Sequence, residues 1–146
     1  MGNVHKFLEH YRVPTGAMSK ELGAQTTIAD AIQTPNFQNM ANYDLVIGIG
    51  HVSHVVSGQV ITLQLYEATD STGGGAQTIS GATDTYTSAA TASLDMLVAQ
   101  VRGEELSAGY SYVGARLTTN DTDGSECASV HTIAGRARYK QASILT

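Results

Sequence analysis

Tryptophan is missing from this chain, cysteine occurs once, proline twice, and charged side chains make up only 14% of its 146 residues. Each shortage excludes something. Cys127 has no second cysteine for an intrachain disulfide or a thiolate zinc cluster, so a reduced folding compartment and a small buried hydrophobe fit it. No run of 18 apolar residues occurs, so no transmembrane helix and no membrane partner are expected. The net charge of −5 is unclustered. Phosphate contacts need a basic stripe, and direct binding to nucleic acid is therefore not expected. The stretch after Met1–Lys6 lacks the apolar core of a secretory signal, and Lys6 stands where myristoylation at Gly2 would need Ser or Thr.

What the chain does have is the patterning of an antiparallel β-protein. The apolar share of 42% is enough for a core, and polarity is carried by Thr, Ser, Gln, Asn and 15 glycines rather than by charge. In Val60–Ala68, Ile61, Leu63 and Leu65 fall on one side of an extended chain and Val60, Thr62, Gln64 and Tyr66 on the other. Asp70-Ser71-Thr72-Gly73-Gly74-Gly75 then takes the chain out of the sheet as a loop. From Tyr43 the period is also two, with Tyr43, Leu45, Ile47 and Ile49 on one face, and Gly48 and Gly50 mark a bulge or a close backbone approach. Val52–Val56 reads as a connection or short strand, Ile79 as a brief segment closed by Gly81, and Leu94–Val101 as a strand buried on both faces at Met96–Val98. Tyr110–Thr119 reads as a strand with Val113, Ala115 and Leu117 inward and Tyr110, Tyr112 and Arg116 outward. Asn120–Gly124 is a sharp turn, Cys127–Ala134 a last strand and Gly135–Lys140 a basic tail.

The first 40 residues differ. Val4, Phe7, Leu8 and Tyr11 stand at i, i+3, i+4 and i+7, an apolar stripe at helical spacing that needs something to dock on. Pro14-Thr15-Gly16 signals a turn, Met18 and Leu22 anchor another short turn, and Thr26–Ile32 fits a helical turn or, as preferred here, a first edge strand. Phe37 and Met40 are expected as anchors at the base of the fold. The expected architecture is all-β: an antiparallel β-sandwich or jelly-roll-like domain over 41–146, preceded by an extended N-terminal arm and first edge segment over 1–40.

No constellation for catalysis stands out, and neither an enzymatic activity nor a cofactor is expected. Gly48-Ile49-Gly50 resembles the start of a dinucleotide fingerprint, but only seven residues separate it from Gly58, too few for the crossover helix that motif requires. Asp121, Asp123 and Gly124 resemble part of a calcium loop, yet Val130 occupies the position of its bidentate Glu. His5 with His10 and His51 with His54 lack the further ligands of a metal site. Tyr110 and Tyr112 read as a carbohydrate-stacking platform or an interface stripe. Aromatic enrichment where proteins meet favours the interface.

Asn42–Ile47, Val60–Ser71 with Gly73–Gly75, Thr78–Ala82, Val101–Leu106, Tyr110–Thr118 and Gly135–Tyr139 together resemble, over about two-thirds of the chain, the capsid cement or decoration proteins of tailed bacteriophages. The likeness is one of strand order and turn texture. It implies a non-enzymatic structural virion protein, made in the host cytoplasm, that binds the major capsid protein on the outer capsid surface and its own copies, often as a homotrimer. The partner-binding candidates are Val4, Phe7, Leu8 and Tyr11 on the arm, whose first 35 residues reach up to ~110–125 Å if extended, with Tyr110 and Tyr112 on the sandwich. The alternatives are a tail-tube, head–tail joining or fibre-associated virion protein, or a carbohydrate-binding β-sandwich module.

Overall fold

A computed structural model describes residues 17–22, 32–33, 37–120 and 126–137. In chain order the strands are β1 (Ala17–Leu22), β2 (Ile32–Gln33), β3 (Gln38–Asn39), β4 (Tyr43–Val55), β5 (Val60–Ala68), β6 (Gln77–Thr87), β7 (Ala92–Arg102), β8 (Tyr112–Thr119) and β9 (Glu126–Ala137). They form two antiparallel sheets, one ordered β1-β9-β4-β7 and the other β2-β8-β5-β6 with β3 also paired to β8. Only β5 and β6 are long neighbours in both sequence and space. Most other connections cross from one sheet to the other, and with β2 and β3 taken as two halves of one strand the order is that of a jelly roll.

The sheets pack through β4, β7 and β9 on one side and β5 and β8 on the other. Ile61, Leu63, Leu65, Val113 and Leu117 have no exposed surface, and Val46, Val52, Leu97, Val101 and Val130 meet them from the facing sheet. β5 is as its alternation predicts. β4 inverts the hydrophobic reading: its core face is Val46, Gly48, Gly50 and Val52, while Leu45, Ile47 and Ile49 lie half-buried on the outside. The glycines are there for room. A Cβ on Gly48 would stand 2.6 Å from Leu65 Cδ2, and one on Gly50 would stand 2.8 Å from Leu117 Cδ1.

Several segments differ from the sequence reading. Met18 and Leu22 belong to strand β1 on the β9 edge rather than to a short turn. β4 continues unbroken to Val55, so Val52–Val56 is no separate element. β6 runs through Gly81 because that residue takes φ +79° in a bulge, and Gln64 Nε2 fills the bulge by donating to the carbonyls of Ile79 and Ala82. β7 is buried on one face only: Met96 and Val98 are 50% and 40% exposed. Phe37 and Met40 are buried, as expected. The Phe37 ring lies against Gly73 and Gly114, and its N–H donates to the Ser71 carbonyl, so the triple-glycine loop wraps this ring.

One side of the sandwich is closed by a carboxylate. Asp84 on β6 accepts the N–H of Val98 on β7 at 2.9 Å, satisfying an edge donor of the facing sheet. Among the described residues, one buried side-chain group, Thr132 Oγ1, has no hydrogen-bond partner.

Two stability outcomes follow from this packing. Gly48→Val is expected to cost about 2 kcal/mol or more by overpacking against Leu65 and Ala115, read as a lower urea midpoint at unchanged m-value. Thr132→Val removes the unsatisfied hydroxyl and should stabilise the fold by about 1 kcal/mol, raising Tm by roughly 2–4 °C in a thermal melt.

Candidate functional site

The outer face of β6, β5 and β8 is assembled in register. Thr85, Thr62 and Thr118 form one cross-strand row, Thr83, Gln64 and Arg116 the next, and Thr78, Tyr66 and Gly114 a third. Threonine suits such a surface because its β-branched body fits the pleat while its hydroxyl meets water or a neighbour. The Thr62 and Thr85 hydroxyls are 3.4 Å apart, and Thr118 Oγ1 donates to the Thr62 carbonyl. Across these rows Arg116 is the only charged residue, and its guanidinium carbon sits 4.2 Å from the centroid of the Tyr66 ring. That contact places a cation over an aromatic face and leaves Tyr66 without a bare plane on that side.

Tyr112 stands at the end of this face, half-buried, and its hydroxyl accepts a hydrogen bond from Asn39 Nδ2 at 3.2 Å. Tyr110 does not share its strand. β8 begins at Tyr112, and Tyr110 lies in the preceding turn with its N–H donating to the Ser107 carbonyl. The arm candidates Val4, Phe7, Leu8 and Tyr11 lie outside the described residues, as do Asp121 and Asp123. The alternate threonines Thr83, Thr85 and Thr87 of β6, with Thr62 on β5, are the sequence signal for the face. It goes unnoticed in a search for catalytic residues because it carries no titratable group.

A second feature is a cleft of about 360 Å³ between β6 and the turn after β7, lined by Glu67, Gln77, Ser80, Gln100, Glu105 and Ser107 among others. Glu67 is almost fully buried. Its Oε1 accepts from Gln77 Nε2 at 2.6 Å and its Oε2 from the Ser107 N–H at 2.8 Å. Burial pushes this carboxyl up, but bonds from the Ser107 side chain, Gln77 and the Ser107 N–H outweigh it and hold the group below the ordinary glutamate value. Glu67 thus ties β5 to β6 and to the segment before β8. In the loop that follows β5, Asp70 accepts from the Gly74 N–H, the Thr72 hydroxyl and the Thr72 N–H, and its carboxyl is held low as well. Both oxygens of Glu67 and Oδ1 of Asp70 are committed to local structure. No group of three or more His, Cys, Asp or Glu placed to hold a metal occurs among the described residues. The dinucleotide-like Gly48-Ile49-Gly50 lies mid-strand in β4, with the strand running on past it.

No known protein family matches the chain, and no curated protein matches it. Among solved structures, it is similar to a chain in the structure of infectious bursal disease virus Gx strain, with 13% identity and a TM-score of 0.47 over 90% of this chain and 33% of that one. A Gt-strain structure of the same virus gives 14% identity and a TM-score of 0.45 over 89% and 34%. The CBM22-1–GH10 modules of Clostridium thermocellum xylanase 10B, complexed with xylohexaose, give 11% and 0.44 over 92% and 27%. The chain spans about a third or less of the length of each. At this level of superposition the likenesses decide nothing about function.

Because the folded Glu67 carboxyl releases its proton more readily than the unfolded one, its stabilisation is in place above the unfolded pKa of about 4.3 and is lost as pH falls through the lower folded value. Glu67→Gln should therefore flatten the decline of Tm with acidification below about pH 5 relative to the unsubstituted protein. Equal slopes in parallel thermal melts would show that Glu67 contributes no such linkage.

Proposed function

We propose that this protein is a non-enzymatic structural component of a virion, of the kind that cements tailed-phage capsids, and that the outer face of β6-β5-β8 is its protein-binding surface. The face itself carries the reading. Interface cores are depleted of Lys, Glu and Asp and enriched in Tyr and Arg, and this wide sheet face holds threonines around Tyr66, Arg116 and Tyr112 with no carboxylate in its rows. The jelly-roll strand order supports it by analogy, since viral capsid domains are one recurrent use of that architecture, alongside lectins and cupins. The resemblance of the strand and turn sequence to cement proteins points the same way and names the partner: the major capsid protein on the outer shell, with further copies of this chain alongside.

The physical logic is one of repetition. A polar but nearly uncharged face gives little long-range attraction, so a single contact is weak. Many copies on one lattice gain through effective concentration. Such a protein would engage the assembled shell and ignore isolated charged surfaces in the cell.

Purified protein mixed with undecorated, expanded heads is expected to bind saturably in a fixed ratio to capsid subunits and to raise the melting temperature of the heads. Thr85→Glu places a charge on the exposed edge of the face. It should weaken that binding about tenfold or more while leaving the melting temperature of the free protein within a few degrees. No saturable binding to heads, or equal binding by the variant, would overturn the proposal.

A further inference from the structure

The sheet β2-β8-β5-β6 ends at β6, and over residues 83–87 that edge is open. The Asn120 N–H donates to the Val60 carbonyl and Thr118 Oγ1 to the Thr62 carbonyl, so the even-numbered residues of β5 direct their backbone groups at β8, while Ile61 and Leu63 direct theirs at β6. Opposite Ile61 and Leu63 stand Tyr86 and Asp84. Thr83, Thr85 and Thr87 therefore turn their N–H and carbonyl groups away from β5, and among the described residues no strand lies beyond them. All three side chains are exposed.

Sheet edges in stable monomers are blunted by lysine, proline, a bulge or an inward charge. Residues 83–87 read Thr-Asp-Thr-Tyr-Thr, with neither lysine nor proline. The bulge of β6 lies before this stretch at Gly81, and the Asp84 carboxylate is spent on the Val98 N–H, where it caps the edge of β7 rather than that of β6. The stretch is also self-complementary. Two copies of β6 laid antiparallel about Thr85 set Thr85 against its own copy, Thr83 against the partner subunit's Thr87, and Asp84 against the partner subunit's Tyr86. Outward-facing backbone groups then meet outward-facing ones, about six hydrogen bonds in all, and threonine continues to face threonine across the junction. Centring on Asp84 would oppose two carboxylates, and centring on Tyr86 would set Thr83 against Ala89, past the end of the strand.

We propose that two copies of this protein pair their β6 strands antiparallel about Thr85, joining their β2-β8-β5-β6 sheets into one continuous sheet. The contact is isologous and closes at two copies, in place of the homotrimer that the resemblance to cement proteins implies. It sets the hydroxyl-rich outer faces of the two copies side by side, so that one particle carries two weak contact surfaces and gains avidity on a lattice. In this way it deepens the function proposed above, yet it rests on the register and the open edge of β6 alone. Its test uses the free protein without capsids, so its outcome is separate from that of binding to heads.

The test is disulfide cross-linking of the full chain with Cys127→Ser, read on a non-reducing gel after mild oxidation. Thr85→Cys should give a dimer-sized band as the major species, because a narrow antiparallel pair holds its two Cα atoms about 5.5 Å apart, within disulfide range. Thr83→Cys and Thr87→Cys should each stay monomeric alone, since each lies four residues from its own copy, about 13 Å, whereas the two proteins mixed should cross-link. No dimer from Thr85→Cys, or equal dimer from all three single variants, would overturn the proposal. Without new cysteines, the unsubstituted protein should shift from monomer to dimer in sedimentation as its concentration rises. Thr85→Pro deletes an N–H that faces away from β5, so it should keep its Tm within a few degrees and lose that shift. A chain that stays monomeric at millimolar concentration, or a Thr85→Pro variant that still dimerises, counts equally against β6 as the joining edge.

Discussion

The close approach of the two sheets at Gly48 and Gly50 is the constraint on which the rest of the molecule depends. With hydrogen in place of Cβ at both positions, β4 lets Leu65, Ala115, Leu117 and Leu63 of the facing sheet come against its backbone. The bulk missing from one side is supplied by leucine from the other, which keeps the interior filled at this point. The chain has two phenylalanines and no tryptophan. Phe37 sits apart from this centre, clasped between Gly73 and Gly114, where it seats the loop after β5.

That arrangement explains what hydrophobic patterning made legible and what it concealed. β5 was readable because its inward residues are the large ones, and β8 because Val113, Ala115 and Leu117 alternate against Tyr112 and Arg116. In β4 the same logic selects Leu45, Ile47 and Ile49, yet the core lies on the side where glycine leaves no hydrophobic mark. The run Met96-Leu97-Val98 looks buried on both faces for a related reason: its outer side is apolar without being interior. β1 carried little strand signal of its own, since Ala17–Leu22 contains no β-branched residue and owes its conformation to pairing with β9. The all-β class is thus a local property of the sequence. The jelly-roll order is a non-local one, set by pairings such as β1 with β9 and β5 with β8 that no window of sequence contains.

The candidate contact face was partly visible. Tyr112 and Arg116 were placed outward correctly, as was Thr62 on the side of β5 opposite Ile61, but their union with the β6 threonines into one surface needed the β5-β6 and β5-β8 registers. Tyr110 was misplaced because its backbone closes a turn on Ser107 instead of joining the ladder. The strand Val60–Ala68 was read through Glu67, but the anchoring role of that carboxylate was not legible because its donors come from segments distant in sequence. Gln77 on β6 and Ser107 before β8 supply the donors that a buried carboxylate requires.

The two outer faces differ because they solve different problems for the same thin sandwich. A sheet of three long strands must present something on its outer side, and charge is the usual choice where no partner is intended. Neither face here follows that rule. The β6-β5-β8 face replaces charge with hydroxyls and one arginine stacked on tyrosine, a surface that tolerates water yet loses little on being dehydrated by a partner. The β9-β4-β7 face instead mixes aliphatic side chains, Leu45, Ile47, Ile49, Ile133 and Val98, with Gln100, Arg102 and His131 in the same cross-strand rows, so apolar surface there is broken up by groups that hold water.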